Sequence, residues 1–449
     1  MSISPDIFKA YDVRGVYPRE IDAAVAERIG AALVRQLSAA KVAVGGDPRP
    51  SSPELAAAFS AGANAAGAEV VDFGTIATEM LYFAVAERGL DGGAMVTASH
   101  NPKQYNGMKL VAAGALPLSG EAGIPELKQR VLDMAEPLAH VTARVSREDV
   151  YDDYVRHLIG MVDAPGLTPF RVVMDAANGV AGKLAPMVFD QTPVERVEMY
   201  FQVDGTFPNH EPNPLLEENS REIRERVLAE KADLGIAWDG DADRCFFIDE
   251  NGDFVPGDFV TALLAEALLR KNPGAAILYD LRASRAVPDI IRANGGVPLE
   301  NRVGHAFFKQ RMRREEILFG GEVSGHYYFR ANHNADSGFI PALLILELLS
   351  QKKATLAELL EPLRARYFIS GEINSQVDDV RVVLDRLQTT FADGQIGTLD
   401  GVSVDFPDWH FNVRPSNTEP LVRLNLGATS RELMEEKRDL VLSVIRPGA

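Results

Sequence analysis

Residues 41–74 carry the pattern that decides the fold, and they begin with KVAVGGDPRPSS at residues 41–52. The short apolar run is followed by a polar turn with Asp47, by a segment of helical periodicity at 53–67, and by the apolar run EVVDFG at 69–74. An apolar β-branched run, a polar turn and a helix that ends near glycine form the β-loop-α unit of a parallel sheet. The stretch therefore predicts an α/β domain.

The same order of elements returns twice along the chain. FRVVMDAANG at 170–179 precedes a helical segment at 180–189, and AAILYDLRAS at 275–284 precedes RAVPDIIRANGG at 285–296. The repetition is one of pattern rather than of identity. It predicts three related α/β domains with mixed or parallel sheets.

The chain beyond about residue 366 has a different pattern. Apolar strand-like runs alternate there with two helical segments, and the last of these begins near Ser430 with a sequence close to a capping box. This predicts a smaller α+β domain. Because 449 residues exceed what one hydrophobic core organises, we expect four domains, at 1–147, 148–251, 252–364 and 365–449.

Composition excludes several classes of protein. The apolar content of 46% and the charged content of 24% are typical of a soluble globular protein. The net charge of −18 argues against nucleic acid or an anionic membrane surface as the main partner. The single cysteine, Cys245, allows no intramolecular disulfide and fits a reducing compartment. With no signal-peptide pattern and no apolar run of membrane-spanning length, the sequence predicts a cytoplasmic protein.

The octapeptide MVTASHNP at residues 95–102 stops an apolar run at a serine. Asn-Pro is a turn signal, so Ser99 is expected where a strand opens into a turn. Reactive groups are common in such places, because a rigid scaffold holds them on an accessible loop. Taken alone, the octapeptide is more simply an ordinary Ser/Thr-rich turn.

The segment WDGDADR places Asp239, Asp241 and Asp243 at alternate positions, so their carboxylates converge in an extended loop. Three uncompensated anions repel, which implies a cation. Apolar flanks argue against a merely solvated acidic turn. An EF-hand loop is excluded, although Glu250 stands at its twelfth position, because Arg244 replaces the required glycine and the flanks read as strands. The sequence predicts a site for Mg²⁺.

Two further segments suit a phosphorylated sugar. RPSNTEP at 414–420 combines a guanidinium, two hydroxyls, an amide and turn N–H groups, and Arg423 follows on the next apolar run. GEVSGH at 321–326 carries Glu322 and Ser324 between glycines, and both side chains can hydrogen-bond sugar hydroxyls. Each segment alone is also compatible with a polar turn. No complete P-loop or hydrolase-type GxSxG motif competes with them.

Five segments in order carry a family resemblance: KAYDVRG at 9–15, TASHNP at 97–102, DGDADR at 239–244, GEVSGH at 321–326 and RPSNTEP at 414–420. Together they resemble the α-D-phosphohexomutases of the phosphomannomutase/phosphoglucomutase branch. The resemblance implies four domains around a central cleft. In chain order these contribute a phosphoserine loop, a metal-binding loop, a sugar-recognition loop and a phosphate-binding loop.

The resemblance also implies the chemistry. Ser99 is expected to be the phosphoserine, with Mg²⁺ held by its phosphate and by the acidic triplet. The reaction is reversible phosphoryl transfer between the 1- and 6-positions of a hexose phosphate, with hexose 1,6-bisphosphate as intermediate and activator. Arg14 and Arg244 are expected to add positive charge. The general base stays open among Lys109, His326 and His305.

Substrate-binding roles follow from the same resemblance. The bisphosphate must turn around, which requires a clamp on the non-reacting phosphate and a sugar site that tolerates reversal. The expected substrate-binding residues are Tyr11, Arg282, Glu322, Ser324, Arg414, Ser416, Asn417, Thr418 and Arg423. Arg282 stands where the family often has lysine, and a rigid guanidinium fork is not equivalent to a point charge.

Three alternatives remain. A phosphoglucosamine mutase is one, although such enzymes more often carry glycine at the position of Asn417. The others are a Mg²⁺-dependent sugar-phosphate phosphatase and a non-catalytic sugar-phosphate binder; the latter would need no convergent carboxylates. The preference for mannose or glucose is left open. The expected partners are small hexose phosphates, and the chain is expected to be a monomer or a weak homo-oligomer.

Overall fold

The computed structural model of the chain describes residues 3–120, 122–134, 138–139, 141–416 and 421–446. Its internal contacts separate it into two compact units. The first contains the residues up to Val255 together with Lys309–Glu316 and Ser324–Thr355, and the second contains Pro256–Phe308, Ile317–Val323 and the residues from Leu356 onward. The chain therefore leaves the first unit and returns to it twice.

The first unit opens with a mixed sheet accompanied by helices. The strands are β1 (Val13–Val16), β2 (Lys41–Gly46), β3 (Glu69–Thr75), β4 (Gly92–Val96), β5 (Tyr105–Ala112), β6 (Leu116–Pro117) and β7 (Val145–Arg147). The helices are α1 (Ala23–Leu37), α2 (Ser52–Ala65), α3 (Thr78–Glu87), α4 (Ile124–Leu132) and α5 (Tyr151–Ile159). The strand order is β1-β5-β4-β2-β3-β7, with β6 beside β5. β2 runs parallel to β3 and β4, whereas β5 runs antiparallel to β1 and β4. The unit predicted at residues 41–74 is confirmed as β2, α2 and β3.

Two glycines let α1 and α2 cross in close contact. A Cβ atom on Gly62 would lie 1.7 Å from the main-chain oxygen of Glu27, and one on Gly30 would lie 2.1 Å from that of Phe59. No side chain fits at either position, because the backbones themselves touch. The two glycines therefore fix the position of α2 against α1. The turn that follows β2 leads directly into α2.

A second sheet of the first unit carries the acidic loop. Its elements are β8 (Arg171–Asp175), α6 (Ala181–Phe189), β9 (Glu195–Met199), α7 (Glu217–Glu230), β10 (Leu234–Trp238) and β11 (Cys245–Asp249). The order is β11-β10-β8-β9, in which β8, β9 and β10 are parallel and β11 is antiparallel. The strands expected on both sides of the acidic triplet are therefore confirmed as β10 and β11.

The third segment of the predicted repeat lies in the second unit. Its elements are α8 (Gly257–Lys271), β12 (Ala276–Asp280), α9 (Ala286–Ala293), β13 (Val297–Asn301) and β14 (Phe319–Gly321). The helix α10 (His305–Arg314) begins in this unit, and its residues from Lys309 onward belong to the first. β12 pairs in parallel with β13 and β14. The chain then returns to the first unit with β15 (Tyr327–Phe329), β16 (Ala335–Asp336) and α11 (Phe339–Lys352). Short 3₁₀ turns occur at Pro5–Ile7, Ala113–Ala115, Ala164–Gly166 and Arg330–Asn332.

The C-terminal part of the second unit is an antiparallel sheet with helices, as the α+β prediction requires. Its elements are α12 (Leu356–Arg364), β17 (Phe368–Ile369), β18 (Ile373–Gln376), α13 (Val380–Thr390), β19 (Gln395–Gly397), β20 (Val402–Asp405), β21 (Trp409–Pro415), β22 (Leu421–Ala428) and α14 (Arg431–Ile445). The order is β17-β22-β21-β20-β19, with β18 also on β22. No helix in the described parts of the chain is both long enough and apolar enough to span a membrane.

Candidate functional site

Ser99 lies in the turn after β4 and has a left-handed backbone conformation, with φ of 51°. Its Oγ donates a hydrogen bond to Asp239 Oδ2 at 2.7 Å, and its main-chain N–H donates to Thr97 Oγ1 at 2.8 Å. The sequence predicts an accessible turn, but Ser99 is only 1% exposed. The acidic loop covers it so closely that a Cβ atom on Gly240 would lie 2.8 Å from the Ser99 main-chain oxygen. The hydroxyl is thus held at a carboxylate.

A buried arginine holds this turn from the other side. The Arg49 Nη2 donates to the main-chain oxygens of Ser99 at 2.9 Å and Asn101 at 2.7 Å. Its Nη1 donates to those of Pro102 at 2.8 Å and Tyr105 at 3.0 Å. Four carbonyl oxygens are satisfied by one guanidinium, whose planar fork suits this task. The conformation of the serine turn therefore depends on Arg49.

Arg49 is itself oriented by Asp47, which accepts from its Nε at 2.9 Å. Asp47 also accepts from the hydroxyls of Ser52 and Thr97, each at 2.8 Å. Sequence reasoning did not select this pair. The available signal was the DPR tripeptide directly after β2, because β2 and β4 are parallel neighbours whose carboxyl ends meet at one edge of the sheet.

The acidic triplet lies in the loop between β10 and β11, and its three carboxylates are buried. Each offers an oxygen within 4.8 Å of the others. Burial, together with repulsion from Asp241 and Asp243, raises the pKa of Asp239 well above its usual range. Among the described residues, Asp241 Oδ1 and Asp243 Oδ1 are buried without a hydrogen-bond donor. Unsatisfied hard oxygen atoms at this spacing fit a cation such as Mg²⁺.

Lys109, on β5, supplies positive charge to the triplet. Its Nζ donates to Asp241 Oδ2 at 2.6 Å and to Asp243 Oδ2 at 2.5 Å. Burial acts to lower the pKa of Lys109, but the two carboxylates outweigh it and hold that pKa well above its usual range. The same contact lowers the pKa of Asp241, although burial opposes this. Lys109 is therefore protonated in this arrangement. It could act as a base only if its contacts with Asp241 and Asp243 were broken.

His326 precedes β15 and lies beside the triplet. Its Nδ1 is 3.7 Å from Asp243 Oδ1 and 3.2 Å from Asp336 Oδ2. Asp336 also pairs with the buried Lys309, at 2.7 Å between Nζ and Oδ1. A carboxylate beside an imidazole orients the ring and fixes its tautomer. Asp336 and Lys309 were not selected from the sequence, since neither belongs to a recognisable motif.

Arg14, on β1, and Arg244, in the loop between β10 and β11, approach the serine turn. Arg14 donates to Asn101 Oδ1 at 2.7 Å and to Asp12 Oδ2 at 2.5 Å. The Nε of Arg244 is 3.7 Å from Asp239 Oδ2. Burial first, and then these two arginines, lower the pKa of His100 well below its usual value. The surroundings of Ser99 are therefore rich in guanidinium groups.

Tyr11, another of the predicted substrate-binding residues, lies two residues before β1 and is half-buried.

A second group of predicted residues lies within the second unit. Arg282 is held by Asp280, which accepts from its Nε at 3.1 Å and from its Nη2 at 2.8 Å. Glu322 is buried directly after β14, accepts from Gly304 N at 2.8 Å, and lies 4.0 Å from Arg282 Nη2. His305 follows Gly304 at the start of α10 and is half-buried. This unit thus gathers Arg282, Glu322 and the His305 turn.

The expected phosphate-binding residues belong to this unit as well. Arg414 and Arg423 are register partners on β21 and β22, and both donate to Glu372, at 3.1 and 3.0 Å. Arg414 and Pro415 end a strand rather than forming part of a turn, and Ser416 N donates to Leu421 O at 2.9 Å. Asn417 and Thr418 lie outside the described residues. Ser324 is half-buried and begins the last segment of the first unit.

Glu372 is the functional candidate that sequence reasoning missed in this unit. Burial acts to raise its pKa, but Arg282, Arg414 and Arg423 outweigh that effect and lower it. The residue stands in the segment SGEINS, which has no motif character. No local signal could have identified this carboxylate, because its partners come from the turn after β12 and from the strands β21 and β22.

Comparison with known proteins gives a consistent result along the chain. The family models for phosphoglucomutase/phosphomannomutase match in four parts: alpha/beta/alpha domain I at residues 5–136, domain II at 152–252, domain III at 256–367 and the C-terminal domain at 372–443. A protein of Xanthomonas campestris pv. campestris named phosphohexose mutases is 43% identical over 444 residues, which cover 98% of this chain and 99% of that protein.

Two further similarities extend this result. A phosphomannomutase of Salmonella typhimurium is 42% identical over 449 residues, covering 98% of both chains. The crystal structure of a phosphoglucomutase/phosphomannomutase family protein from Burkholderia thailandensis superposes with a TM-score of 0.90 at 36% identity. That match covers 100% of this chain and 99% of the other.

Proposed function

Because this chain belongs to the phosphoglucomutase/phosphomannomutase family, we propose that it transfers a phosphoryl group reversibly between the 1- and 6-positions of a hexose phosphate. The proposed route passes through phosphorylated Ser99 and hexose 1,6-bisphosphate. The observation that best supports it is the 2.7 Å hydrogen bond from Ser99 Oγ to Asp239. Asp239 belongs to the acidic triplet proposed to hold a cation, and a cation bound there would lie beside a phosphoryl group on Ser99 and neutralise its charge.

Mg²⁺ is the proposed cofactor, held by Asp239, Asp241 and Asp243 and by the phosphate on Ser99. The buried acceptor atoms of Asp241 and Asp243 that lack a donor support this ligand set. When bound, the ion would neutralise charge on the oxygens of the transferred phosphoryl group.

The chain's own side chains have three proposed tasks around Ser99. Arg14 and Arg244 attract the phosphoryl oxygens, and Arg49 holds the serine turn in position. A base must accept the proton of the attacking sugar hydroxyl. Of the three candidates, His326 and Lys109 share a unit with Ser99, whereas His305 lies beside Glu322 in the other. The contact of His326 with Asp336 makes it the first to test.

The residues of the second unit are proposed to bind the rest of the substrate. Arg414 and Arg423, with Ser416, Asn417 and Thr418, would hold the non-reacting phosphate in both orientations of the bisphosphate. Glu322 would accept hydrogen bonds from sugar hydroxyls. Ser324 and Tyr11, which belong to the first unit, are also proposed as substrate-binding residues. Arg282 is fixed by Asp280 and contributes a rigid cation. We further propose the domain boundaries 1–147, 148–251, 252–364 and 365–449, each domain supplying one loop.

Mannose phosphate is the proposed first substrate, with glucose phosphate second, since the Salmonella relative is named phosphomannomutase. The test is to assay mannose, glucose and glucosamine 1-phosphates in parallel, with a trace of glucose 1,6-bisphosphate, and to measure the 6-phosphate formed. Intact-mass analysis of the protein should show one added phosphoryl group. Stoichiometric release of inorganic phosphate would instead identify a phosphatase.

The variant Ser99→Ala should lose about a thousandfold or more of the turnover, because it removes the nucleophile. It should also lose the added phosphoryl group. The matched control is Ser60→Ala, since Ser60 is likewise buried but its Oγ donates to Ala56 O within α2. Normal turnover in Ser99→Ala would refute the phosphoserine route.

A further inference from the structure

Three arginines from different elements of the second unit converge on Glu372. Arg414 Nη2 lies 3.1 Å from Glu372 Oε2, Arg423 Nη1 lies 3.0 Å from Oε1, and Arg282 Nη1 lies 3.6 Å from Oε2. Arg282 follows β12, Arg414 belongs to β21 and Arg423 to β22, whereas Glu372 directly precedes β18. One carboxylate therefore gathers cations that the chain brings from three places.

The arginines retain donors that Glu372 does not use. Among the described residues, the buried Nε atoms of Arg414 and Arg423 have no hydrogen-bond partner. A carboxylate has two oxygens and cannot accept from every N–H of three guanidinium groups. Buried donors without acceptors are costly, so these two Nε atoms favour a further acceptor at this position.

The charges identify that acceptor. Asp280 already pairs with Arg282 through two hydrogen bonds, so Arg414 and Arg423 carry the available positive charge. Glu372 cancels one unit of it. A phosphate dianion with several oxygens would satisfy the remaining donors and the remaining charge. Glu372 and such a phosphate would then contact the same guanidinium groups with charges of the same sign.

We propose that Glu372 is a positioning residue that acts as an internal counter-anion: it keeps the three guanidinium groups converged, and it weakens their hold on phosphate. This rests on the proposed function, because only an enzyme whose bisphosphate must turn around benefits from a weakened grip. A phosphate bound by the arginines without this competitor would leave slowly. Glu372 therefore favours release and turnover over affinity.

The test compares Glu372→Gln with the parent protein. The variant keeps the shape and removes the charge. The dissociation constant for inorganic phosphate, measured by calorimetry, should fall about tenfold, because one opposing charge is removed from a charge-assisted site. KM for the hexose phosphate should fall as well, whereas kcat should fall about threefold or more as release becomes slower. Glu372→Asp keeps the charge and should stay within about threefold of the parent in both values.

The control variant is Glu361→Gln, an exposed position on α12 that changes the net charge equally. It should bind phosphate as the parent does. Weaker or unchanged phosphate binding in Glu372→Gln would overturn the proposal and leave Glu372 as a structural brace. If Glu372→Gln folds only when phosphate is present, the proposal is supported, because phosphate then replaces the missing counter-anion. Failure to fold in either condition would overturn it.

These outcomes are separate from the fate of the proposed function. Phosphate binding is measured without turnover, so its response to Glu372→Gln can be read even if the parent protein interconverts no hexose phosphates. Conversely, an active parent with an unaltered phosphate affinity in Glu372→Gln would retain the proposed reaction and remove the counter-anion role.

Discussion

The guanidinium of Arg49 donates a hydrogen bond of 2.9 Å to the main-chain oxygen of Ser99. The two residues are neighbours at the edge of one sheet, since β2 and β4 pair in parallel. Arg49 also binds three other carbonyl oxygens of the turn. It therefore holds Ser99 in the left-handed conformation from which its hydroxyl contacts Asp239.

Arg49→Lys tests whether this support matters for the reaction. Lysine keeps the charge but cannot reach four carbonyl oxygens, so the turn should lose its fixed geometry. We expect kcat to fall about tenfold or more, because small misplacements of a reacting group are costly. KM should change little, since the proposed phosphate grip lies in the other unit. The control Arg156→Lys changes an exposed arginine of α5 and should leave kcat unchanged. An unchanged kcat in Arg49→Lys would show that the serine turn keeps its conformation without Arg49.

Asp241→Asn tests the metal site. The change removes one anionic ligand and leaves Lys109 and Thr78 donating toward an amide. Mg²⁺ should be required at a concentration about tenfold higher or more, because hard cations prefer charged oxygen ligands. The measurement is activity against Mg²⁺ after treatment with a chelator, with the exposed Asp253→Asn as control. Full activity of the chelated parent protein would mean that the triplet has only a structural role.

Arg414→Ala tests the shared phosphate clamp. It removes a charge-assisted contact worth about 1.5–3 kcal/mol, which corresponds to roughly a 10- to 100-fold loss of kcat/KM. The loss should appear with the 1-phosphate and with the 6-phosphate as substrate, and more bisphosphate should escape per turnover. The exposed Arg381→Ala on α13 is the control. A loss of kcat/KM in only one direction of the reaction, larger than the equilibrium constant of the reaction allows, would contradict a clamp that is used in both orientations of the bisphosphate.

Glu79→Gln tests a buried carboxyl on α3. Burial raises the pKa of Glu79 from 4.5 to about 8, so the folded protein keeps its proton where the unfolded chain has lost it. Stability contributed by this group therefore falls as the pH rises from about 4.5 to about 8, by at most about 1.4 kcal/mol per pH unit. Glutamine carries no titrating proton. The free energy of unfolding of Glu79→Gln, measured with urea, should therefore rise relative to that of the parent protein as the pH increases over this interval.

The control for Glu79 is Glu225→Gln, an exposed residue of α7. Its unfolding free energy should follow that of the parent at every pH. A constant difference between Glu79→Gln and the parent from pH 5 to pH 9 would show that Glu79 is ionised in the folded protein.

Local spacing was sufficient to predict the elements that carry the site. Alternating or β-branched runs predicted β2, β8 and β12, and the polar turns after them predicted where helices begin. The convergence of Asp239, Asp241 and Asp243 also follows from spacing, because alternate residues of an extended loop point the same way. These features depend on neighbours within a few residues.

The remaining parts of the site depend on distant contacts. Ser99 was expected on an accessible turn, yet the acidic loop some 140 positions later covers it. Arg49 reads as an ordinary turn residue until its carbonyl partners at 99–105 are known. Glu372 can be recognised as a functional candidate only from its contacts with Arg282, Arg414 and Arg423. The roles of such residues depend on tertiary contacts rather than on local pattern. These contacts cannot be recognised from a single sequence.

The interrupted path of the chain through the first unit has a consequence during synthesis. Asp239–Asp243 leave the ribosome well before His326 and Asp336, which belong to the same unit but lie beyond Val255. At ~5–20 residues per second, the nascent chain waits roughly 3 to 14 seconds between Val255 and Ser324. During that interval the acidic centre has no His326 beside it. A ribosome-bound fragment ending before Ser324 should therefore fold its first sheet while lacking a completed centre.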